Sequence, residues 1–377
     1  MNVHPALRFS FDYLRTALMA RVEAGSVNIT RNGSLALFNY SKECQYNHLW
    51  DNFTVMARGL ILDMEDESIV ALPFPKFFNS SEKEGASVVK FDAPFDAFTK
   101  MDGSLGIVYK HNDSWHVATR GSFSSDQAVW AENWLNNNID TFMLDPNVSY
   151  LCEIIYADNR IVINYPFEGL VMLGAYNNVS GVELDYDIDL VPLCERVGMR
   201  IAERHQFGSF VEAQEFVKTL PGNEEGFVIR FRDSGERVKL KGSEYCALHK
   251  MISNITPLAI WELLCAGYSM DDYKRAMPEE FWDEIDEIVG HFQQRAAAIM
   301  LEVVNLVSEV SDLSDKDLGL LLSGPMKNRE YSALLFPYRK KGAATVYGLV
   351  MKSLRPTGNV IDGYTPSAML QRSQSEE

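Results

Sequence analysis

Lys100 is the residue with the clearest chemical potential. It follows the strand-like run FDAFT and precedes Met101-Asp102-Gly103-Ser104, so a primary amine stands just ahead of a glycine turn. A lysine amine is a nucleophile only when unprotonated, and a free one, with a pKa of ~10.4, is almost wholly charged at neutral pH. Nearby cations disfavour the charged form and hold an anionic substrate in place. Lys239 and Lys241, in the V-K-L-K run, are the candidates for that double duty, which would let Lys100 attack a phosphorus centre. Alone, K-x-D-G-S is short enough to arise by chance, and an exposed lysine before a turn is the bland alternative.

Further blocks in the same stretch point the same way. Arg58-Gly59 sits in ARGLILDM, Lys76-Phe77-Phe78-Asn79 follows, and after Lys100 come Thr119-Arg120-Gly121-Ser122, Glu153 in CEIIYADNRIV, and Glu225-Gly226-Phe227-Val228. Each polar group stands at a strand end or inside a strand, which is not the pattern of a solvated surface. Glu153 lies within an apolar strand, where a lone carboxylate is costly to bury, so it needs a partner.

The elements that must position these residues change character near residue 245. Before it, LALFNY, RGLILDM, FDAFTK, SLGIVYK, SWHVATR, YLCEIIYA, GLVMLGAY, GFVIRF and RVKLKG read as strands. SLGIVYK and SWHVATR form a hairpin across His111-Asn112-Asp113. Helices are expected around residues 7–20, 125–136 and 209–219. Beyond 245, Ile285, Ile288, Val289, Phe292, Ile299, Val303 and Leu306 recur at helical spacing, with Pro278 suited to a first turn. Core packing between helices is the expected use of that stripe. The fold class is therefore α+β: an antiparallel-sheet domain, residues 1–245, followed by a mostly helical domain, residues 246–377, with a frayed polar tail from Ser367.

The composition narrows the class. The 377 residues carry a formal charge of −17, which argues against a protein that coats nucleic acid through a uniformly basic surface but leaves room for a local basic cleft. Five scattered cysteines with no C-x-x-C pair signal neither a zinc site nor a disulfide framework, and reduced thiols in a cytoplasmic protein are expected. No leader pattern or long apolar run points to a membrane. A monomer is the working expectation.

In order and approximate separation, the blocks ARG, FPKFFN, KMDGS, RGS, NRIV, EGFV and VKLK resemble the covalent nucleotidyltransferase superfamily of polynucleotide ligases and capping enzymes. The similarity is greatest to the RNA ligase 1 family of the T-even bacteriophages, from about Leu35 to Tyr245. That resemblance implies an ATP-dependent RNA ligase working through a lysyl-AMP on Lys100. It implies that Lys239 and Lys241 contact the α-phosphate, that Arg58 and Lys76 take the β and γ phosphates, and that Glu153 binds the ribose. Glu225, with Glu224 as its competitor, would act through magnesium or manganese. Asp102 and Gly103 belong to the signature, the glycine allowing a tight turn beneath the nucleotide and Asp102 serving the sealing step. Phe78 is open between packing near the nucleotide and ordinary core packing. Met101 replaces an acidic residue, and Arg120 stands where a lysine is usual, which keeps the charge but alters the geometry.

Within the superfamily, DNA ligases and capping guanylyltransferases carry a strand-rich domain after V-K-L-K, whereas this chain turns helical. A non-catalytic RNA-binding protein would not need the whole set of charged blocks. The helical domain is expected to choose the RNA, single-stranded or a broken tRNA as the kinship implies. Lys327, Arg329, Arg339, Lys340, Lys341, Lys352 and Arg355 are its candidate phosphate contacts, with simple solvation the alternative. Asp271 and Asp272 resemble an acidic pair of the phage enzyme that would hold a second metal.

Overall fold

The structure, a computed structural model, describes residues 3–252, 255–277, 281–356 and 361. Pro278 and the tail from Ser367 lie outside the described residues. The chain divides into two compact units, Met1–His249 and Lys250–Glu377.

Three sheets build the first unit. The strands are β1 (Val27–Asn32), β2 (Leu35–Tyr40), β3 (Arg58–Asp63), β4 (Ser68–Ala71), β5 (Phe78–Asn79), β6 (Phe95–Thr99), β7 (Ser104–His111), β8 (Ser114–Thr119), β9 (Val148–Ile155), β10 (Gly169–Asn177), β11 (Arg200–Ile201), β12 (Arg204–His205), β13 (Gly226–Phe231) and β14 (Arg237–Lys241). Their orders are β1-β2-β3-β4, β11-β10-β9-β7-β8 and β12-β6-β13-β14-β5. Pairing is antiparallel as expected, except that the two-residue strands β5 and β11 lie parallel to β14 and β10. The β7–β8 hairpin turns on Asn112 and Asp113, both at positive φ (49° and 64°), while His111 pairs with Ser114. The loop is thus the two-residue kind that matches strand twist, one residue shorter than the sequence suggests.

Alternation within each strand decides what packs where. On the first sheet, Leu37, Leu60 and Leu62 join Leu14 and Leu18 of helix Phe11–Glu23 and Ile107 and Leu151 of the second sheet in one core. The other face of the second sheet, with Val108, Val117, Tyr150 and Cys152, packs on helices Asp126–Asn138 and Val191–Val197. The third sheet packs one face on helix Phe210–Lys218 through Ala97, Phe227, Ile229, Val238 and Leu240. Its other face is left to line a cleft.

In the second unit, helix Trp282–Glu309 buries Ile285, Ile288, Val289, Phe292, Val303 and Leu306, with Ile299 packed at the edge. This is the stripe read from the sequence. It packs against helices Pro257–Ala266 and Leu335–Ser353, the latter broken at Gly342, whose φ is 80°.

Candidate active site

The three central strands of the third sheet place the lysines. Register pairs Asp96 with Arg230 and Arg230 with Arg237, then Phe98 with Val228 and Val228 with Lys239. One step further, Gly226 pairs with Lys241, and the Lys100 amide donates to the Gly226 carbonyl at 2.8 Å. Side chains two apart on a strand share a face, so all three rows project to the same side, opposite the core that receives Ala97, Phe227 and Leu240. The K-x-K spacing therefore sets both strand lysines on the face of Lys100. Gly226 is needed between them: its φ is 129°, and an added Cβ would stand 2.1 Å from the Leu240 carbonyl oxygen.

At the end of that face, Lys100 Nζ lies 2.6 Å from Glu225 Oε1, and Lys241 Nζ reaches the same oxygen at 3.1 Å. The sequence predicts cations around Lys100; the structure adds a carboxylate in direct contact. Glu225 is buried, and its Oε2 has no hydrogen-bond partner. Lys239 instead reaches over the Phe77 ring, 5.4 Å from its centroid, and lines the cleft.

Glu153 faces this group from the second sheet, paired with Leu105 on β7 and Val171 on β10. Burial pushes its carboxyl up to about 7; Lys100 and Arg58 oppose the rise, and Glu225 and Asp102 add to it. Gly103 lets the loop after Lys100 lie against β9. A Cβ there would meet the Ile154 carbonyl oxygen at 2.6 Å and Glu153 Cγ at 3.1 Å. The need is close approach, not the tight-turn conformation expected from sequence, since Gly103 is not at positive φ.

Asp102 turns away from the cleft and is 3% exposed. Its Oδ2 accepts the amides of Val162 and Ile163, at 2.9 and 2.8 Å, and its Oδ1 accepts the Tyr245 hydroxyl at 2.8 Å. Its own amide donates to the Tyr165 hydroxyl at 2.9 Å. In this arrangement Asp102 clamps the loop after Lys100 to residues 162–165 and to the helix Ser243–Ile252 that follows Lys241. A role in the sealing step would have to act through that clamp.

The cleft between the second and third sheets has a volume of about 1400 Å³, more than a single nucleotide-sized ligand site of ~300–1,000 Å³ requires. Lys100, Lys239, Arg58, Arg120, Glu153 and Phe77 are among its walls. Arg58 Nη1 is buried without a hydrogen-bond partner, and burial lowers the pKa of the guanidinium. An unmet buried donor of this kind fits an anionic ligand. Arg120 Nη1 donates to the Tyr40 hydroxyl at 2.8 Å, and that hydroxyl also neighbours Arg58. Tyr40, which ends an ordinary-looking strand, carried no sequence signal for this.

Lys76 and Phe78 are placed differently from expectation, since neither lines the cleft. The buried Lys76 Nζ lies over three rings, those of Tyr40, Trp50 and Phe78, at 5.3, 5.3 and 5.0 Å. Phe78 meets Trp50 edge-on at 5.2 Å. Of the two readings open for Phe78, core packing is what the geometry gives, and Phe77 is the aromatic of the cleft.

For a divalent ion, the orphaned Glu225 Oε2 is a protein oxygen that fits, with ligand phosphates and water completing the shell. No group of three or more potential metal ligands occurs among the described residues. In the second unit, Asp271 and Asp272 occupy the first turn of helix Met270–Ala276, with Asp272 at 3.4 Å from Arg275. A metal held there has no third protein ligand among the described residues. Several expected phosphate contacts are already engaged: Arg329 with both oxygens of Glu309, and Arg339 and Lys340 with Asp315.

A lysine amine, strand cations and a buried carboxylate gather at one cleft, an arrangement with the chemistry to receive an anionic ligand. Residues 56–245, half of the chain, match the RNA ligase family of the phage T4 type, and the chain belongs to that family. It is 29% identical over 250 residues to a protein of Autographa californica nuclear polyhedrosis virus named as a bifunctional polynucleotide kinase/RNA ligase, covering 59% of this chain and 35% of that one. It is 24% identical over 204 residues to a protein of Thermovibrio ammonificans named as an RNA ligase, covering 51% and 52%. The chain thus spans between a third and about half of these relatives. A solved archaeal ATP-dependent RNA ligase is similar over 78% of this chain and 83% of its own, with 15% identity and a TM-score of 0.48. Among the described residues no helix is long and apolar enough to cross a membrane.

Proposed function

We propose that the chain is an ATP-dependent RNA ligase with Lys100 as the nucleophile. The observation that carries this reading is the Lys100–Glu225–Lys241 cluster, at 2.6 and 3.1 Å, set at the edge of a cleft with Lys239, Arg58 and Arg120 in its walls. Lys100 Nζ attacks the α-phosphorus of ATP; the N–P bond forms, the P–O bond to the β-phosphate breaks, and pyrophosphate leaves. Before attack the ammonium gives up a proton, for which Glu225 Oε1 is the acceptor in contact. Lys239 and Lys241 hold the α-phosphate, and Arg58 and Arg120 take the phosphates that depart, so positioning and charge neutralisation do most of the work.

Magnesium or manganese at Glu225 Oε2 would supply charge neutralisation at the phosphates. Glu153 meets the ribose hydroxyls, accepting a hydrogen bond when ionised and able to donate one when protonated. AMP then passes to an RNA 5′-phosphate, and a 3′-hydroxyl displaces it to close the phosphodiester. Choice of RNA, broken tRNA included, is assigned to the helical part, residues 246–377. We take the enzyme to act as a monomer in a cytoplasm.

The decisive experiment incubates the protein with magnesium and labelled ATP or GTP and looks for label that survives denaturation. Label from ATP, lost completely in Lys100→Ala, is the expected result. Label from GTP alone would move the reading to capping chemistry. No label, or label retained by Lys100→Ala, would sink the assignment of the nucleophile.

A further inference from the structure

Lys76 and Phe77 lead into the two-residue strand β5, which Phe78 opens, and the three side chains do not share one destination. Lys76 and Phe78 go to the rings of Tyr40 and Trp50, and Phe77 goes to the cleft. There its ring receives two cations from two different sheets. Arg58, from β3, has its guanidinium carbon 5.3 Å from the ring centroid, and Lys239, from β14, has its ammonium at 5.4 Å. Both cations line the same cleft, and Arg58 keeps a buried donor without a partner.

Two cations aimed at one anion repel each other until that anion arrives. A π face attracts each of them and carries no charge of its own to compete with a phosphate. A carboxylate in the same place would hold the cations better but would repel the ligand. We propose that Phe77 is a positioning residue for the polyphosphate: its ring fixes where Arg58 and Lys239 stand before ATP binds. This rests on the ATP-dependent reading above and adds to it a residue that touches the cations and not the reacting atoms.

The test compares Phe77→Leu, which keeps apolar bulk, with Phe77→Tyr, which keeps the ring. Label on Lys100 is measured against ATP concentration, sealing is measured separately from an RNA supplied with its 5′ end already adenylylated, and thermal unfolding is followed for each variant. Phe77→Leu is expected to raise the half-saturating ATP concentration roughly 5- to 30-fold, the worth of two such contacts. Its plateau of label and its unfolding temperature should stay near wild type. Its sealing of adenylylated RNA, which keeps the phosphate held by Lys239 but lacks those taken by Arg58, should fall by less than the ATP requirement rises. Phe77→Tyr should restore the ATP requirement to within about 3-fold.

An unchanged ATP requirement in Phe77→Leu overturns the proposal, as does a Phe77→Tyr protein impaired as much as the leucine variant. A loss that tracks lowered unfolding temperature shows packing alone and also overturns it. If wild type takes no label from ATP, the functional reading fails, and the proposal with it; if wild type is labelled, the two variants judge Phe77 by itself.

Discussion

Burial at the cleft wall pushes the Glu153 carboxyl up to about 7, so its charge changes near neutral pH. The folded protein retains a proton that the unfolded chain sheds above its ordinary value of 4.5. Stability from this source is therefore full below 4.5 and is lost as pH rises through about 7, because the native state binds more protons across that window. Glu153→Gln removes the charge and keeps the shape. Thermal unfolding of the ligand-free protein should show the variant more stable than wild type at pH 8, by on the order of 1–3 kcal/mol, and equal to it near pH 4. Equal stability at both pH values would show that the carboxyl is not perturbed by burial.

Residue types were the part of the site most readable from sequence. Lys100, Lys239 and Lys241 share one face, as the K-x-K spacing requires once their strands are neighbours. What spacing does not carry is the direction in which a two-residue strand points. The family resemblance therefore set Lys76 at the phosphates and left Phe78 open between nucleotide and core, whereas Phe77 is the residue of this run that lines the cleft. The Lys100–Glu225 contact was hidden for a related reason: Glu225 precedes its strand, and it is the β6–β13 register, extended by the hydrogen bond from Lys100 to Gly226, that brings the two together.

At the scale of elements, two devices hold Lys100 in place. The first is the glycine at the crossing of β13 and β14. Gly226→Ala would meet the Leu240 carbonyl oxygen at 2.1 Å with φ at 129°, and a cost of about 2–4 kcal/mol is expected. It should appear as a fall of several degrees in the unfolding temperature; an unchanged midpoint would mean that the strands part easily. The second device is Asp102. In Asp102→Ala the amides of Val162 and Ile163 lose their acceptor, so their hydrogen exchange should quicken by 10-fold or more, while strand β9 amides stay protected. Exchange unchanged at both amides would show that the loop is held by other means. Long periodic strands and the stripe of helix Trp282–Glu309 were plain in the sequence. Strands β1 and β4 were not, because β1 buries little beyond Val27 and β4 has four residues, too few to show alternation.

For the molecule as a whole, the residues that line the cleft lie between Arg58 and Lys239, inside the first compact unit. A fragment of residues 1–252, which keeps Tyr245 and its bond to Asp102, should take label from ATP at a level close to the full chain. Its sealing of RNA 5′-phosphates should fall at least 10-fold, measured on a denaturing gel. A fragment that seals as well as the full chain would remove RNA choice from the helical unit. Within that unit Arg329, Arg339 and Lys340 are spent on acidic neighbours, so the seven candidate phosphate contacts, with solvation as the alternative, narrow to the others, Lys327 and Lys341 among them.

The pleat has one more consequence, for how such a chain can vary over time. On β13 and β14 every second side chain belongs to the cleft and every second one to the packed interior. Inserting or deleting one residue within β14 would exchange its two sets, sending Lys239 and Lys241 among phenylalanines and isoleucines while Leu240 turned to the cleft. A change of length in the connections carries no such exchange, so it should be tolerated far better than one inside these strands.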